Sequence, residues 1–78
     1  MTRFPSVSSR QIIRVLKKRG FSEAPDRGKG SHRAYTAKDA SGVIHLVIVP
    51  QGKDIPRGTV QEILSQAAIS RDEFIALL

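Results

Sequence analysis

The chain contains 78 residues, with thirteen Lys and Arg, seven Asp and Glu, two His and no Cys, and its formal net charge is +6. This length allows one compact domain and no second core, so we expect a single domain over residues 1–78. The lack of Cys excludes disulfides and thiolate metal sites and is typical of proteins in the reducing cytoplasm.

The sequence carries no pattern typical of membrane insertion or secretion. The longest apolar run, residues 43–49, is interrupted by His45 and is far too short to span a bilayer. The N-terminal stretch MTRFPSVSSR lacks the apolar segment of a secretory signal. We therefore expect a cytoplasmic location and no membrane association.

The positive charge is concentrated in the first half of the chain. Residues 1–38 hold ten bases and two acids (+8), whereas residues 39–78 hold three bases and five acids (−2). This asymmetry favours a polyanion or an acidic protein as partner, and the alternative is ordinary solvated charge on a helix face.

The first predicted element is an amphipathic helix over residues 9–19. Ser8 and Gln11 have capping-box spacing, and Gly20 is a typical left-handed terminator after which Phe21 folds back onto the last turn. The basic outer face of this helix is either a phosphate track or a solvated surface. Its apolar positions recur at helical spacing and are Ile12, Ile13, Val15 and Leu16.

Three strands are predicted next. Pro25 makes the first segment a short edge strand or an irregular one, residues 28–30 form a glycine turn, and SHRAYTA alternates as the second strand. Residues 39–42 form another turn, and the β-branched run 43–49 is the third strand, which ends at Pro50.

Pairing about residues 39–42 predicts the register of the last two strands. It places Ala34 opposite Leu46 and Tyr35 opposite His45, with His32 and His45 on opposite faces of the sheet.

Two helices complete the chain. Thr59 with Glu62 has the spacing of a capping box that opens one helix, and Ser70 with Glu73 opens a short terminal one. The prediction is an α+β fold of order α-β-β-β-α with an added C-terminal helix. Its helices cover one face of a three-stranded antiparallel sheet and leave the other face for partners.

The residue types exclude several kinds of site. No HxxxH or HExxH spacing exists, so zinc catalysis has no ligand set, and we expect neither a metal nor another cofactor. Residues 28–30 lack the third glycine of a dinucleotide fingerprint. Ser31 and His32 are neighbours on a strand and point to opposite faces, unlike a catalytic triad.

A metal-free acid–base site around His32 remains. Imidazole can take a proton from a ribose 2′-hydroxyl or return one to a 5′-oxygen. Lys29, Arg33 and the N–H groups of the glycine turn are suited to neutralising a phosphate in the transition state. From the residues alone, a structural hydrogen-bonding role for His32 is the stronger reading and catalysis is the alternative.

Two further side chains have both structural and functional readings. The apolar neighbours of His45 favour a structural or partner-facing role over a catalytic one. Tyr35 is suited to stacking on a base or donating a proton, although a lone strand aromatic more often packs in the core.

The complete order of motifs resembles the HicA toxin family. The resemblance is carried by SSRQIIRVLKKRGF, by GKGSHRAYT, by a strand ending in Pro50, and by KDIPRGTVQEILSQAAISRDEFIALL. It implies a double-stranded-RNA-binding-like fold and a ribonuclease that cleaves messenger RNA and arrests translation. It also implies a HicB-like antitoxin that covers the active site, and it allows a higher-order toxin–antitoxin complex.

The resemblance assigns roles to individual residues. The family's catalytic histidine falls on His32, and its glycine and serine fall on Gly30 and Ser31. With Lys29, Arg33, Tyr35 and Lys53, these two residues form the predicted substrate-binding set.

The sequence departs from the family pattern in one place. Many relatives carry a histidine just after the proline that ends the third strand, whereas this chain reads Pro50-Gln51-Gly52-Lys53. Gln51 does not titrate, so the group that accompanies His32 in proton transfer is left unassigned.

Overall fold

A computed structural model describes residues 6–78, so residues 1–5 of the predicted N-terminal segment and single domain lie outside the described residues. The helices are α1 (Ser9–Lys18), α2 (Arg57–Ala67) and α3 (Arg71–Leu77), and the strands are β1 (Ser22–Glu23), β2 (His32–Lys38) and β3 (Ile44–Pro50). A short 3-10 turn, Pro25–Arg27, separates β1 from β2. The predicted α+β order is confirmed.

Both ends of α1 form as the sequence predicts. Ser8 and Gln11 make both reciprocal bonds of the capping box, so two backbone N–H groups at the helix start are satisfied. Gly20 has φ +87°, and the Phe21 N–H donates to the Leu16 carbonyl at 2.9 Å. The chain thus reverses sharply and buries Phe21 against the helix it has just left.

The sheet is antiparallel throughout, in the order β1-β2-β3. The predicted pairs of Ala34 with Leu46 and of Tyr35 with His45 are wrong by two residues. Ala34 lies opposite Ile48, and Tyr35 lies opposite Val47. A shift by two preserves side-chain alternation, so His32 and His45 do face opposite sides of the sheet.

The β2–β3 turn explains this displacement. The Asp39 N–H donates to the Val43 carbonyl and the Gly42 N–H donates to the Asp39 carbonyl, both at 2.9 Å. Gly42 has φ +86°, which is typical of a three-residue hairpin loop with a left-handed last residue. The loop is therefore centred on Ser41.

The start of α2 differs from the prediction. Thr59 does not cap the helix, which begins at Arg57 after Pro56 and has no side-chain cap. Pro56 is extended at φ −54° and ψ 141°, and its carbonyl accepts the Val60 N–H at 3.0 Å. The predicted cap of α3 is confirmed, because Ser70 Oγ accepts the Glu73 N–H at 3.1 Å.

The apolar sides of the helices pack on one face of the sheet, as predicted, and polar side chains of α2 also reach the edge of the other face beside His32. The packed face presents Tyr35 from β2 and Val47 and Val49 from β3, all buried. The principal helical side chains in the same core are Ile12, Val15, Leu16, Val60, Ile63, Leu64 and Phe74. The opposite face carries His32 and the exposed Ile44 (63% exposed) and Leu46 (38%).

Gly28 allows the segment between β1 and β2 to lie against the start of β2. A Cβ atom at this position would lie 2.9 Å from the His32 carbonyl oxygen and 3.2 Å from the Ala34 nitrogen. Both are backbone atoms, so neither yields by a rotamer change. The absence of a side chain at Gly28 therefore sets how closely the turn approaches His32.

Gly28→Ala is expected to lower the free energy of unfolding by about 1–3 kcal/mol, because the added methyl group overpacks against the β2 backbone. Gly58→Ala is the matched control, since nothing lies within 4 Å of a Cβ there and Gly58 is in α2. The control is expected to be neutral or to gain about 0.4–1 kcal/mol. Urea unfolding of both variants measures the difference, and equal stabilities would contradict the steric account.

Candidate functional site

His32 is the first residue of β2 and its side chain is exposed. The His32 N–H donates to the Lys29 carbonyl at 3.0 Å, which closes a four-residue turn. Gly30, the first central residue of this turn, has φ +58°, as a type II′ turn requires. The glycine turn thus delivers His32 to the end of the sheet, where its Cα partner is Pro50.

One shallow depression, of about 200 Å³, lies on the turn side of His32. Four residues predicted from the sequence meet there: Lys29, Gly30, His32 and Arg33. Ser31 is exposed in the same turn, and its carbonyl accepts the Gln51 N–H at 3.0 Å. Five of the seven predicted residues therefore lie in one continuous segment around the imidazole.

A second depression, of about 210 Å³, lies on the α2 side of His32. There His32, Ile48 and Pro50 of the sheet face the helix side chains Thr59, Glu62, Ile63 and Gln66. The sequence alone did not indicate this contribution, because Thr59 and Glu62 have the spacing of a cap. The 59, 62, 66 spacing does place three polar side chains on one face of a helix, but it does not tell which part of the sheet that face meets.

A larger open groove of about 740 Å³ runs between α1 and the sheet. Its cationic lining residues are Arg10 and Lys17 of α1, Arg33 of β2 and Lys53 of the loop after β3. Within residues 6–78, Glu23 is the one acidic side chain that lines it. The groove therefore attracts anions, and Arg33 connects it to the His32 depression because it lines both.

Tyr35 also lines this groove, but it is only 1% exposed and belongs to the core. Its ring therefore has no free face on which a base can stack. The packing interpretation of Tyr35 fits the structure, and the predicted stacking role does not.

The loop that carries Lys53 is held by a contact between distant parts of the chain. The Ser9 N–H donates to the Gly52 carbonyl at 3.0 Å, and the Gly52 N–H donates to Ser9 Oγ at 3.2 Å. Ser9 is buried although it is polar, and these bonds satisfy it. This Ser9–Gly52 clamp positions Lys53 at the rim of the groove.

Basic residues in α1 and at its C-cap, Arg19, serve two different purposes. Lys18 Nζ donates to the Leu77 carbonyl at 2.9 Å, and Arg19 pairs with Glu73. These two cations attach the end of α1 to α3. Of the other three basic residues of α1, Arg10 and Lys17 line the groove and Arg14 does not, and all three are exposed.

The second histidine has a different environment. His45 Nε2 lies 2.9 Å from Asp39 Oδ2, while Asp39 Oδ1 accepts the N–H groups of Ser41 and Val43. The His45 hydrogen bond is the main cause that lowers the pKa of the Asp39 carboxyl, followed by the Val43 N–H. The structural interpretation of His45 is thus supported, since the ring braces the β2–β3 loop.

Residues 6–78 lack two kinds of structural feature. No cluster of three or more His, Asp or Glu side chains there is arranged to hold a metal ion. No helix in that range is long and apolar enough to cross a membrane.

The fold and site define a class: a small basic α+β domain that surrounds an exposed strand histidine with cationic side chains. Comparison with family models then identifies the family. The model described as the HicA toxin of bacterial toxin–antitoxin matches residues 9–69, which is more than half of the chain. The chain therefore belongs to the HicA toxin family, and the match includes every residue of the candidate site. No curated protein gives a significant match.

Proposed function

We propose that this chain is the toxin of a toxin–antitoxin pair and acts as a metal-independent endoribonuclease on messenger RNA. The observation that carries the proposal is the position of His32. It is exposed at the end of β2, and Lys29 and Arg33 line the same depression. An exposed imidazole beside two cations is suited to proton transfer at a phosphodiester.

The proposed reaction is attack of a ribose 2′-oxygen on the adjacent phosphorus. The bond from the 2′-oxygen to phosphorus forms and the bond from phosphorus to the 5′-oxygen breaks. His32 exchanges a proton with one of these oxygens, while Lys29, Arg33 and the backbone of Gly30 and Ser31 balance the charge on the phosphoryl oxygens. The products are a 2′,3′-cyclic phosphate and a 5′-hydroxyl.

The cationic groove supports RNA as the substrate class. Four cations against one acid give its lining a net charge of +3. Arg33 lines both the groove and the His32 depression, so an RNA strand bound along the groove leads to the imidazole. Contacts between these cations and the RNA phosphates supply affinity that does not depend on the base sequence.

A HicB-like antitoxin is the proposed protein partner, in keeping with the toxin–antitoxin pairing that the family implies. An acidic partner complements the +8 charge of residues 1–38. The exposed Ile44 and Leu46 lie on the same face of the sheet as His32, towards its other end, and offer apolar contact to a partner that covers this face. A partner seated on this face would cover His32.

The competing function is a non-catalytic RNA-binding module, or a degenerate toxin whose main role is antitoxin binding. The observation that favours it is the lack of a histidine in residues 50–55, the stretch where many relatives carry a second one. Both alternatives use the same basic groove, but they predict no cleavage products.

His32→Ala is expected to lower RNA cleavage by about 100-fold or more and to abolish growth arrest, because it removes the proton-transfer group. His45→Ala is the matched control, since His45 lies on the opposite face and contacts Asp39. Cleavage is measured on labelled RNA with EDTA present. Equal activity of wild type and His32→Ala, or loss of all activity in EDTA alone, would contradict the assignment.

Lys53→Ala is expected to weaken RNA binding and to reduce the slope of log affinity against log salt by about 1, because one phosphate contact is lost. Lys38→Ala serves as control, because Lys38 is exposed at the far end of the hairpin. Binding is measured by fluorescence anisotropy with His32→Ala as background, so that the RNA stays intact. Equal slopes for the two lysine variants would place the RNA outside the groove.

The antitoxin is expected to protect His32 from acylation by diethyl pyrocarbonate, because it covers this face of the sheet. His45, in the same chain, is the internal reference. Peptide mapping by mass spectrometry of the free toxin and the complex measures both sites. A complex in which His32 reacts as fast as in the free chain would contradict the proposed docking face.

A further inference from the structure

Cleavage through the 2′-oxygen requires two proton transfers, and His32 supplies one group. One group must accept the 2′-hydroxyl proton and another must protonate the 5′-oxygen. Gln51, next to the Cα partner of His32, has no titratable proton, and its Nε2 donates to the Val49 carbonyl at 3.2 Å. Gln51 therefore does not supply the second group.

Two acids line a depression shared with His32, one on each side. The charged groups on the turn side are Glu23, Lys29 and Arg33. On the α2 side, Glu62 is the one charged lining residue among those described, and it is exposed to solvent. These four groups and His32 make up the titratable and charged lining of the two depressions.

Strand geometry separates the two acids. Glu23 lies directly opposite Tyr35, which faces the helices, so Glu23 projects towards the α1 groove and its cations. His32 is three residues from Tyr35 on the same strand and projects to the other face. Glu62 therefore meets His32 on the face to which the imidazole projects, whereas Glu23 lines the turn-side depression from the face of the α1 groove.

The environment of Glu62 suits a base. Thr59 and Gln66 lie one turn before and one turn after it on the same helix face, and both line the depression with it. Ile48, Pro50 and Ile63 form the apolar wall of this space. Glu62 is thus flanked by two polar side chains and lines, together with His32, a space of about 210 Å³.

We propose that Glu62 is the second catalytic residue, a proposal that rests on the proposed ribonuclease function. The Glu62 carboxylate accepts the 2′-hydroxyl proton as the 2′-oxygen bonds to phosphorus. The His32 imidazolium gives its proton to the 5′-oxygen as that oxygen leaves phosphorus. Proton exchange with water then restores both groups.

The first test is the pH dependence of the cleavage rate constant, measured in single turnover on a short RNA. Wild type is expected to give a bell-shaped profile, since one group must be deprotonated and the other protonated. Glu62→Gln, which preserves size, is expected to lose about 100-fold or more in rate and to lose the acid-side limb while RNA affinity is retained. Asp72→Asn, an exposed acid of α3, is the control.

The second test separates the roles of the two groups. An RNA with sulfur in place of the bridging 5′-oxygen has a leaving group that needs no protonation. This substrate is expected to rescue His32→Ala and not Glu62→Gln. Rescue of Glu62→Gln alone would overturn the assignment of Glu62 as the base.

The possible results distinguish the role of Glu62 from the ribonuclease function. If wild type cleaves RNA and Glu62→Gln keeps its rate and acid-side limb, Glu62 is not catalytic and the proposed function stands. If only Glu23→Gln lowers the cleavage rate, the role of Glu62 is likewise overturned and Glu23 is the base. If wild type itself leaves RNA uncut, both the proposed function and the role of Glu62 are overturned.

Discussion

The antiparallel pairing of β2 with β3 is the constraint on which the site depends. It places His32 across from Pro50, and the ladder continues through the Gln51 N–H to the Ser31 carbonyl. The chain that leaves β3 therefore departs beside the imidazole. From there it passes through the clamped Gly52 and enters α2, whose Glu62 side chain returns to the depression beside His32.

Successive side chains of β2 point to opposite faces of the sheet, so the functional surface has one part on each face. His32 lies on the open face, whereas the next residue, Arg33, lies on the face that meets α1. Adjacent residues of one strand thus serve a depression and a groove on different sides of the sheet. Because Arg33 reaches both, an anionic ligand can pass over the end of the sheet from one side to the other.

Local chemistry was enough to predict much of the fold. The capping box at Ser8, the reversal at Gly20 and the short edge strand before Pro25 are interactions between near neighbours, so their residues carry the signal. The predicted β2–β3 register was wrong because the centre of a turn depends on which residue adopts positive φ. Here that residue is Gly42, which moves the centre of the loop away from the midpoint of residues 39–42. Thr59 failed as a cap because Pro56 is extended and α2 begins directly after it.

The site was predictable only where it is contiguous. Lys29, Gly30, Ser31, His32 and Arg33 lie together because they are adjacent in sequence. The approach of Glu62 depends on how α2 packs against β3, and the Ser9–Gly52 clamp joins residues 43 positions apart. No periodicity within either segment reports such contacts.

The same clamp has a consequence for synthesis of the chain on the ribosome. His32 and its basic turn are translated first, and Gly52 and Glu62 follow 20 and 30 residues later. Neither the groove nor the α2 depression exists until both partners of each contact are present. For a protein with the proposed activity, this order means that the His32 turn forms no competent surface by itself before residues 52 and 62 have been translated.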